Sequence, residues 1–137
     1  MSPQLSAEPR FLQLHQDDHA AVREELAQGL LAARPRIAPK YFYDQLGSRL
    51  FDAITELPEY YPTRTEAAIF AQHGADMARV VGRGRTLVDL GAGNCAKAGG
   101  LFGVLKPGRY VAVDISVDFL RASLAGLQRE HREVDML

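Results

Sequence analysis

The sequence predicts an α/β protein: a helical N-terminal region at residues 1–85, followed by a parallel β-sheet with helical crossovers at residues 86–137. Two observations support this fold class. From residue 86 onward, short β-branched runs alternate with helical patterns, and strands that alternate with helices form parallel sheets. Before residue 86, apolar residues recur instead at the spacing of helices. The length of 137 residues allows one domain.

The composition excludes several classes of protein. The net charge of −1 does not fit a generally basic nucleic-acid binder. No run approaches the roughly 18 consecutive apolar residues of a membrane span, and the N-terminus lacks the apolar core of a signal peptide. One cysteine, Cys95, excludes an internal disulfide and a cysteine-based zinc site. The histidines show no ligand spacing. We therefore expect a cytoplasmic protein with no metal, nucleic-acid or membrane partner; its oligomeric state is left open.

Three helices are predicted in the N-terminal region. The first spans about 18–33 after a cap at Asp17 or Asp18. Ser48 can cap the second helix. The third begins with a capping box at 63–66 and is interrupted near Gly74.

The C-terminal part carries the alternating elements. They are, in chain order, a strand at 86–90, a helix over 94–105, a strand at 110–115, a helix over 117–131 and the start of a third strand at 134–137. Ser116 can cap the second of these helices. We expect Val134, Met136 and Leu137 to lie exposed at an uncovered sheet edge.

A glycine loop follows the first strand and is the centre of the predicted chemistry. Gly91-x-Gly93-x-x-Ala96 joins strand to helix, and its glycines let the backbone turn sharply and approach a ligand closely. Asp114 ends the next strand, 21 residues after Gly93. At that spacing a carboxylate can accept hydrogen bonds from two ribose hydroxyls. The pattern predicts a nucleoside-containing cofactor.

Asp89 separates the two cofactor classes that fit this loop. A carboxylate just before the loop would repel the pyrophosphate of a nicotinamide or flavin dinucleotide, but it suits the sulfonium and ammonium groups of S-adenosylmethionine (SAM). The sequence therefore favours SAM. A nicotinamide-dependent Rossmann oxidoreductase is the alternative, and a tight turn that binds no ligand is the remaining interpretation.

Tyrosines cluster in two places before the sheet. Tyr60 and Tyr61 are held between Pro58 and Pro62, which restricts the backbone, and Tyr43 ends a run of three aromatic residues. Such rings most often pack in a core. Fixed in this way, they can also present hydroxyls and ring faces to a small amine or its methylated product.

These segments together resemble the N-terminal signature of one family. The matching stretches are PKYFYD at 39–44, GS-x-LFD-x-IT at 47–55, LPEYYPTRTE at 57–66, LVDLG-x-G at 87–93, and Asp114. They resemble the histidine-specific SAM-dependent methyltransferases, which include the histidine N-alpha-methyltransferases of ergothioneine biosynthesis. The resemblance implies a Rossmann-like SAM-dependent methyltransferase fold, with 1–85 lining the substrate site and 86–137 forming the first half of the SAM-binding sheet.

The resemblance also implies an activity and a site. The activity is methyl transfer from SAM to the alpha-amino nitrogen of a small-molecule amino acid, namely histidine or a related substrate. Gly91, Lys97 and Asp114 would contact SAM, while Tyr60, with Tyr43 nearby, would line the amino-acid site. No catalytic side chain is assigned, because SAM is already activated and the rate enhancement would come mainly from the proximity and alignment of the two reactants. A non-catalytic SAM-binding fragment is the non-enzymatic alternative.

The chain departs from the family pattern in two respects. Ala92, Asn94 and Cys95 stand where Ser or Thr is usual, and Lys97-Ala98-Gly99 replaces Lys-Thr-Arg. Family members are also roughly twice this length or more, beyond one ordinary domain. We therefore expect a truncated, N-terminal part of the family fold that is inactive by itself.

Overall fold

The computed structural model describes residues 8–14 and 18–137. The helices are α1 (His19–Leu30), a short 3₁₀ helix (Pro39–Phe42), α2 (Gln45–Thr55), α3 (Pro62–Val81), α4 (Ala96–Leu105) and α5 (Val117–Glu130), and the strands are β1 (Thr86–Leu90), β2 (Arg109–Val113) and β3 (Asp135–Met136). The predicted α/β class is confirmed: helices precede a parallel sheet. Within the described residues, no helix is both long and apolar enough to span a membrane.

The sheet of the described residues has three parallel strands in the order β1-β2-β3. Strands β1 and β2 pair along their full length, from Thr86 opposite Arg109 to Leu90 opposite Val113. Because both strands end at the same edge, the loops that follow them lie side by side. That edge is where ligands bind in open α/β sheets.

The core lies between the sheet and helices α4 and α5. Its buried residues are Ala92, Cys95, Ala98, Phe102, Tyr110, Ala112, Leu124, Val134 and Met136. Side chains alternate between the two faces of a strand. On the opposite face Val88, Leu90 and Val113 are exposed, so the helices in this structure cover one side of the sheet.

The N-terminal ends of the first three helices differ in part from the predictions. Asp18 caps α1 through Ala20 and Ala21, as one of the two predicted caps, whereas Asp17 lies outside the described residues. Asp44, not Ser48, caps α2: its carboxylate accepts a hydrogen bond from the Gly47 amide at 2.7 Å. The predicted Ser48 cap is therefore wrong, because a better acceptor precedes it by one turn.

Helix α3 begins earlier than predicted and runs without a break. Pro62 occupies its first position, where the ring presets φ and no amide hydrogen is needed, so residues 63–66 form no capping box. The interruption predicted near Gly74 is also wrong. Gly74 is buried, and a Cβ there would contact Val104 of α4 at 3.7 Å. Close packing of α3 on α4 offsets the weak helix propensity of glycine.

The third strand is covered rather than exposed. Val134 and Met136 are only 2% and 1% exposed, so the expected exposure of these two side chains is wrong. Their side chains face the core, and the edge of the strand is occupied by the N-terminal segment. The Arg10 amide donates to the Met136 carbonyl at 3.0 Å, and its guanidinium pairs with Asp135 at 3.0 Å. A pattern that spans a few neighbouring residues cannot predict these contacts of Arg10 with Asp135 and Met136.

Candidate active site

The glycine loop between β1 and α4 folds back on the end of β2. The amides of Gly91 and Ala92 donate to the Val113 carbonyl at 2.8 and 3.1 Å. Gly91 and Gly93 have φ angles of +80° and +54°, a region that side chains disfavour. Among the residues that the structure describes, none beyond the chain neighbours has an atom within 4 Å of a Cβ placed on either glycine. The space in front of the loop is therefore open to a ligand.

Cys95 ends the loop and is buried beneath it. It has φ +61°, a strained left-handed conformation for a non-glycine residue, and is 1% exposed. Burial raises the pKa of its thiol, and the nearby carboxylates of Asp89 and Asp114 act in the same direction. The thiol is thus held protonated and weakly nucleophilic, which fits a packing role and not a chemical one.

Asp114 lies against the glycine loop, as its spacing predicts. One carboxylate oxygen accepts from the Gly93 amide at 2.9 Å, and the other accepts from the Ser116 amide at 2.8 Å. Each oxygen of an ionised carboxylate has a second acceptor position. Two hydroxyls of a ribose could donate to these second positions, so the acceptors of Asp114 fit the nucleoside part of SAM.

Asp89 and Lys97 form the other end of the loop site. Asp89 lies on the covered face of β1, where the Tyr110 hydroxyl donates to its carboxylate at 3.0 Å. Burial first, and then the neighbouring Cys95 and Asp89, raise the pKa of Tyr110 above its ordinary range, so its hydroxyl stays a donor. The Lys97 ammonium lies 4.0 Å from Asp89 and 3.8 Å from Glu66 of α3. One cation between two carboxylates matches the zwitterionic amino-acid end of SAM.

Tyr43 and Tyr60 lie on either side of Phe51. The centroid of the Phe51 ring is 6.1 Å from that of Tyr43 and 5.8 Å from that of Tyr60, both in edge-on contacts. We refer to these three rings as the aromatic cluster. Tyr43 remains 39% exposed, and Tyr61, the neighbour of Tyr60, is 68% exposed. The structure thus brings the two predicted substrate tyrosines together, with Tyr61 outside the cluster.

Helix α2 connects the aromatic cluster to the two candidate cofactor loops, namely the glycine loop at 91–95 and the loop after β2 at 114–116. From α2, the Ser48 hydroxyl donates to the Ser116 hydroxyl at 2.9 Å, and Ser116 donates to the Tyr43 carbonyl at 2.7 Å. Asn94 of the glycine loop donates to Asp52 of α2 at 3.0 Å. Beside these bonds a cavity of about 180 Å³ opens between the Tyr43 segment and the loop after β2.

Sequence reasoning missed several of these contacts. Phe51 and Glu66 lie in the family-matching stretches 47–55 and 57–66, but no contact with a site residue is predicted for either from the sequence. The pair Asp52–Asn94 spans 42 residues and has no local signal. Asn94 alone could have been found, because a short polar residue just before a helix is a candidate for satisfying its first amides; it accepts from the Ala96 amide at 3.0 Å.

Comparisons with known proteins place this chain in a family. Residues 22–137 match the family model described as histidine-specific methyltransferase, SAM-dependent. The chain is 40% identical over 122 residues to a histidine N-alpha-methyltransferase of Mycobacterium tuberculosis, covering 86% of this chain and 38% of the relative. The corresponding Mycolicibacterium smegmatis protein is 38% identical over 120 residues, covering 85% of this chain and 37% of the relative. A 4-dimethylallyltryptophan N-methyltransferase of Claviceps purpurea is 32% identical over 105 residues, covering 74% and 30%.

The chain thus spans a little over a third of the length of the histidine N-alpha-methyltransferases that it matches. The family match contains the glycine loop, Asp114 and the aromatic cluster. Because the family is SAM-dependent, it favours SAM over the nicotinamide cofactor that the sequence left as an alternative. This chain belongs to the histidine-specific, SAM-dependent methyltransferase family.

Proposed function

We propose that this chain provides the SAM-binding loops and the aromatic substrate wall of an N-methyltransferase that acts on the alpha-amino group of an amino acid, with histidine as the first candidate. One observation carries the proposal: Asp114 binds the glycine loop at the strand ends, and α2 joins that point to the aromatic cluster. In this proposal residues 1–85 line the substrate site, and 86–137 form the first half of a Rossmann-like methyltransferase sheet.

The cofactor would be held at both ends of the glycine loop. Asp114 would accept hydrogen bonds from the ribose, and the backbone at Gly91 and Gly93 would lie close to the cofactor. Lys97 would pair with its carboxylate, and Asp89 with its positive groups. SAM bound there supplies a methyl group that its sulfonium already activates.

The chain's own contribution to catalysis would be alignment. Tyr43 and Tyr60 are fixed against Phe51, so their rings and hydroxyls can hold an amine in one orientation. Ring faces also attract the methylated ammonium product. Alignment of two bound reactants accounts for about 7–11 kcal/mol of barrier lowering. No general base is assigned, because the amine would release its proton to solvent and react in its neutral form.

Cofactor selection is the first test of this function. We expect SAM and S-adenosylhomocysteine to bind the purified protein more tightly than NAD, because Asp89 and Lys97 suit a zwitterion and not a pyrophosphate. Isothermal titration with each of the three ligands measures the difference. Tighter binding of NAD than of either sulfur compound would contradict the proposed cofactor.

Methyl transfer is the second test. The protein, purified as its gene encodes it, is incubated with methyl-labelled SAM and a panel of amino acids that includes histidine and tryptophan. We expect label to enter one of them when the encoded protein has the length of its relatives, and no label to enter any of them with the 137-residue chain by itself. Tyr60→Ala should lower the transfer rate by about tenfold or more through lost alignment, while Tyr61→Ala, a change in its exposed neighbour, should leave the rate near wild type. Binding of SAM without transfer to any amino acid would support the non-catalytic alternative instead.

A further inference from the structure

We propose that Ser48 and Asp52 of α2 are positioning residues, which hold the aromatic cluster at a fixed place relative to the cofactor loops. The inference rests on the proposed function and adds residues to its site. It is carried by a closed ring of hydrogen bonds that runs from α2 through both cofactor loops and back to α2.

The first half of the ring runs through the loop after β2. The Ser48 hydroxyl donates to Ser116 at 2.9 Å, and the Ser116 amide donates to Asp114 at 2.8 Å. Ser48 and Ser116 are 6% and 9% exposed, so water does not readily replace the bond between them. Ser116 occupies the N-cap position of α5, yet in the described structure its side chain makes no cap hydrogen bond. Ser116 thus holds the predicted N-cap position, but its hydroxyl bonds across regions and not to the first amides of α5.

The second half of the ring runs through the glycine loop. The other oxygen of Asp114 accepts from the Gly93 amide at 2.9 Å. The next residue, Asn94, donates its side-chain amide to Asp52 at 3.0 Å and accepts from the Ala96 amide at the start of α4. Asn94 therefore links the loop to α2 while it orders the first turn of α4. The ring closes on the same helix from which it began.

The spacing within α2 explains why the hydrogen bonds of Ser48 and Asp52 hold the same face of this helix. Ser48 and Asp52 are four residues apart, so they lie on one face of the helix. Phe51, the central ring of the aromatic cluster, directly precedes Asp52. Ser116 also donates to the Tyr43 carbonyl at 2.7 Å. A shift of α2 away from the loops would therefore move Phe51, and with it the two tyrosines, relative to Asp114.

Such a shift matters for methyl transfer more than for folding. A misplacement of about 1 Å from a residue outside the reacting groups can cost about 100-fold in rate. Neither Ser48 nor Asp52 is placed in contact with SAM or substrate in the proposed site. Their loss should therefore leave SAM affinity intact and change the transfer step.

The test uses the double variant Ser48→Ala/Asp52→Ala in the protein as its gene encodes it. We expect the SAM dissociation constant to stay within about twofold, while kcat/KM for the amino acid falls by about tenfold or more. Asp52→Asn keeps an acceptor for Asn94, so the double variant Ser48→Ala/Asp52→Asn should recover part of the rate that Ser48→Ala/Asp52→Ala loses. Arg49→Ala, at an exposed position of α2, is the matched control and should behave as wild type.

Hydrogen–deuterium exchange of the segment 43–55 supplies a readout that needs no turnover. We expect faster exchange there in the double variant and not in Arg49→Ala. Wild-type kinetics in the double variant would overturn the inference even if exchange rises. If the wild-type protein transfers no methyl group, the proposed function fails. Unchanged exchange in the double variant would then also overturn the claim that these hydrogen bonds hold α2 to the two loops.

Discussion

Asp114→Ala is expected to weaken SAM binding by about 10- to 150-fold, which corresponds to about 1.5–3 kcal/mol for hydrogen bonds to a charged group. Two effects act in the same direction. The variant removes the acceptors proposed for the ribose hydroxyls. It also leaves the amides of Gly93 and Ser116 without the carboxylate to which they donate at 2.9 and 2.8 Å, so both cofactor loops lose their common anchor.

Isothermal titration of SAM into wild type and variant measures this effect, and a thermal unfolding curve by circular dichroism checks that the variant is folded. Asp114→Asn keeps one acceptor oxygen, so its SAM affinity should lie between those of wild type and Asp114→Ala. Glu130→Ala removes an exposed carboxylate at the far end of α5 and serves as the control for lost charge. Wild-type SAM affinity in Asp114→Ala would show that the carboxylate does not contact the cofactor.

The second large effect is expected from Gly47→Ala in the first turn of α2. A Cβ at this position would overlap the backbone carbonyl of Phe42. The backbone cannot give way easily, because the Gly47 amide is bound to the Asp44 cap at 2.7 Å. Overpacking costs up to about 3 kcal/mol and the better helix propensity of alanine returns about 1, so we expect a net loss of about 2 kcal/mol in unfolding free energy.

Gly100→Ala in α4 is the matched control for this substitution. A Cβ there would contact no atom of residues 8–14 or 18–137 within 4 Å beyond the adjacent backbone of its own helix, so only the difference in helix propensity remains. We expect the free energy of unfolding to rise by about 0.5–1 kcal/mol. Urea denaturation followed by circular dichroism compares the two variants with wild type. Equal stability of Gly47→Ala and Gly100→Ala would mean that α2 can move away from the Phe42 carbonyl at no cost.

The predictions that proved correct depend on local properties of the chain. The strand at 86–90 has the bounds of β1, and the strand, helix, strand, helix order from residue 86 is the order in the structure. Both follow from residue periodicity and from short connections between neighbouring elements. The adjacency of Asp114 to the glycine loop has the same origin, because parallel strands linked by a short crossover end at one edge. The roles of Asp89, Lys97 and Asp114 toward SAM stay predictions.

The sequence by itself determined the fold class, the order of its elements and the loop that a cofactor would approach, since these arise from periodicity, glycine conformation and spacing within some 20 residues. Tertiary structure alone decided that Met136 is buried and that Ser48 and Asp52 bind the two cofactor loops. The hydrogen bonds of Ser48 and Asp52 join groups 42 or more residues apart, which no local pattern brings together. Packing decides such contacts, because a buried polar group must find its partner wherever the fold places one.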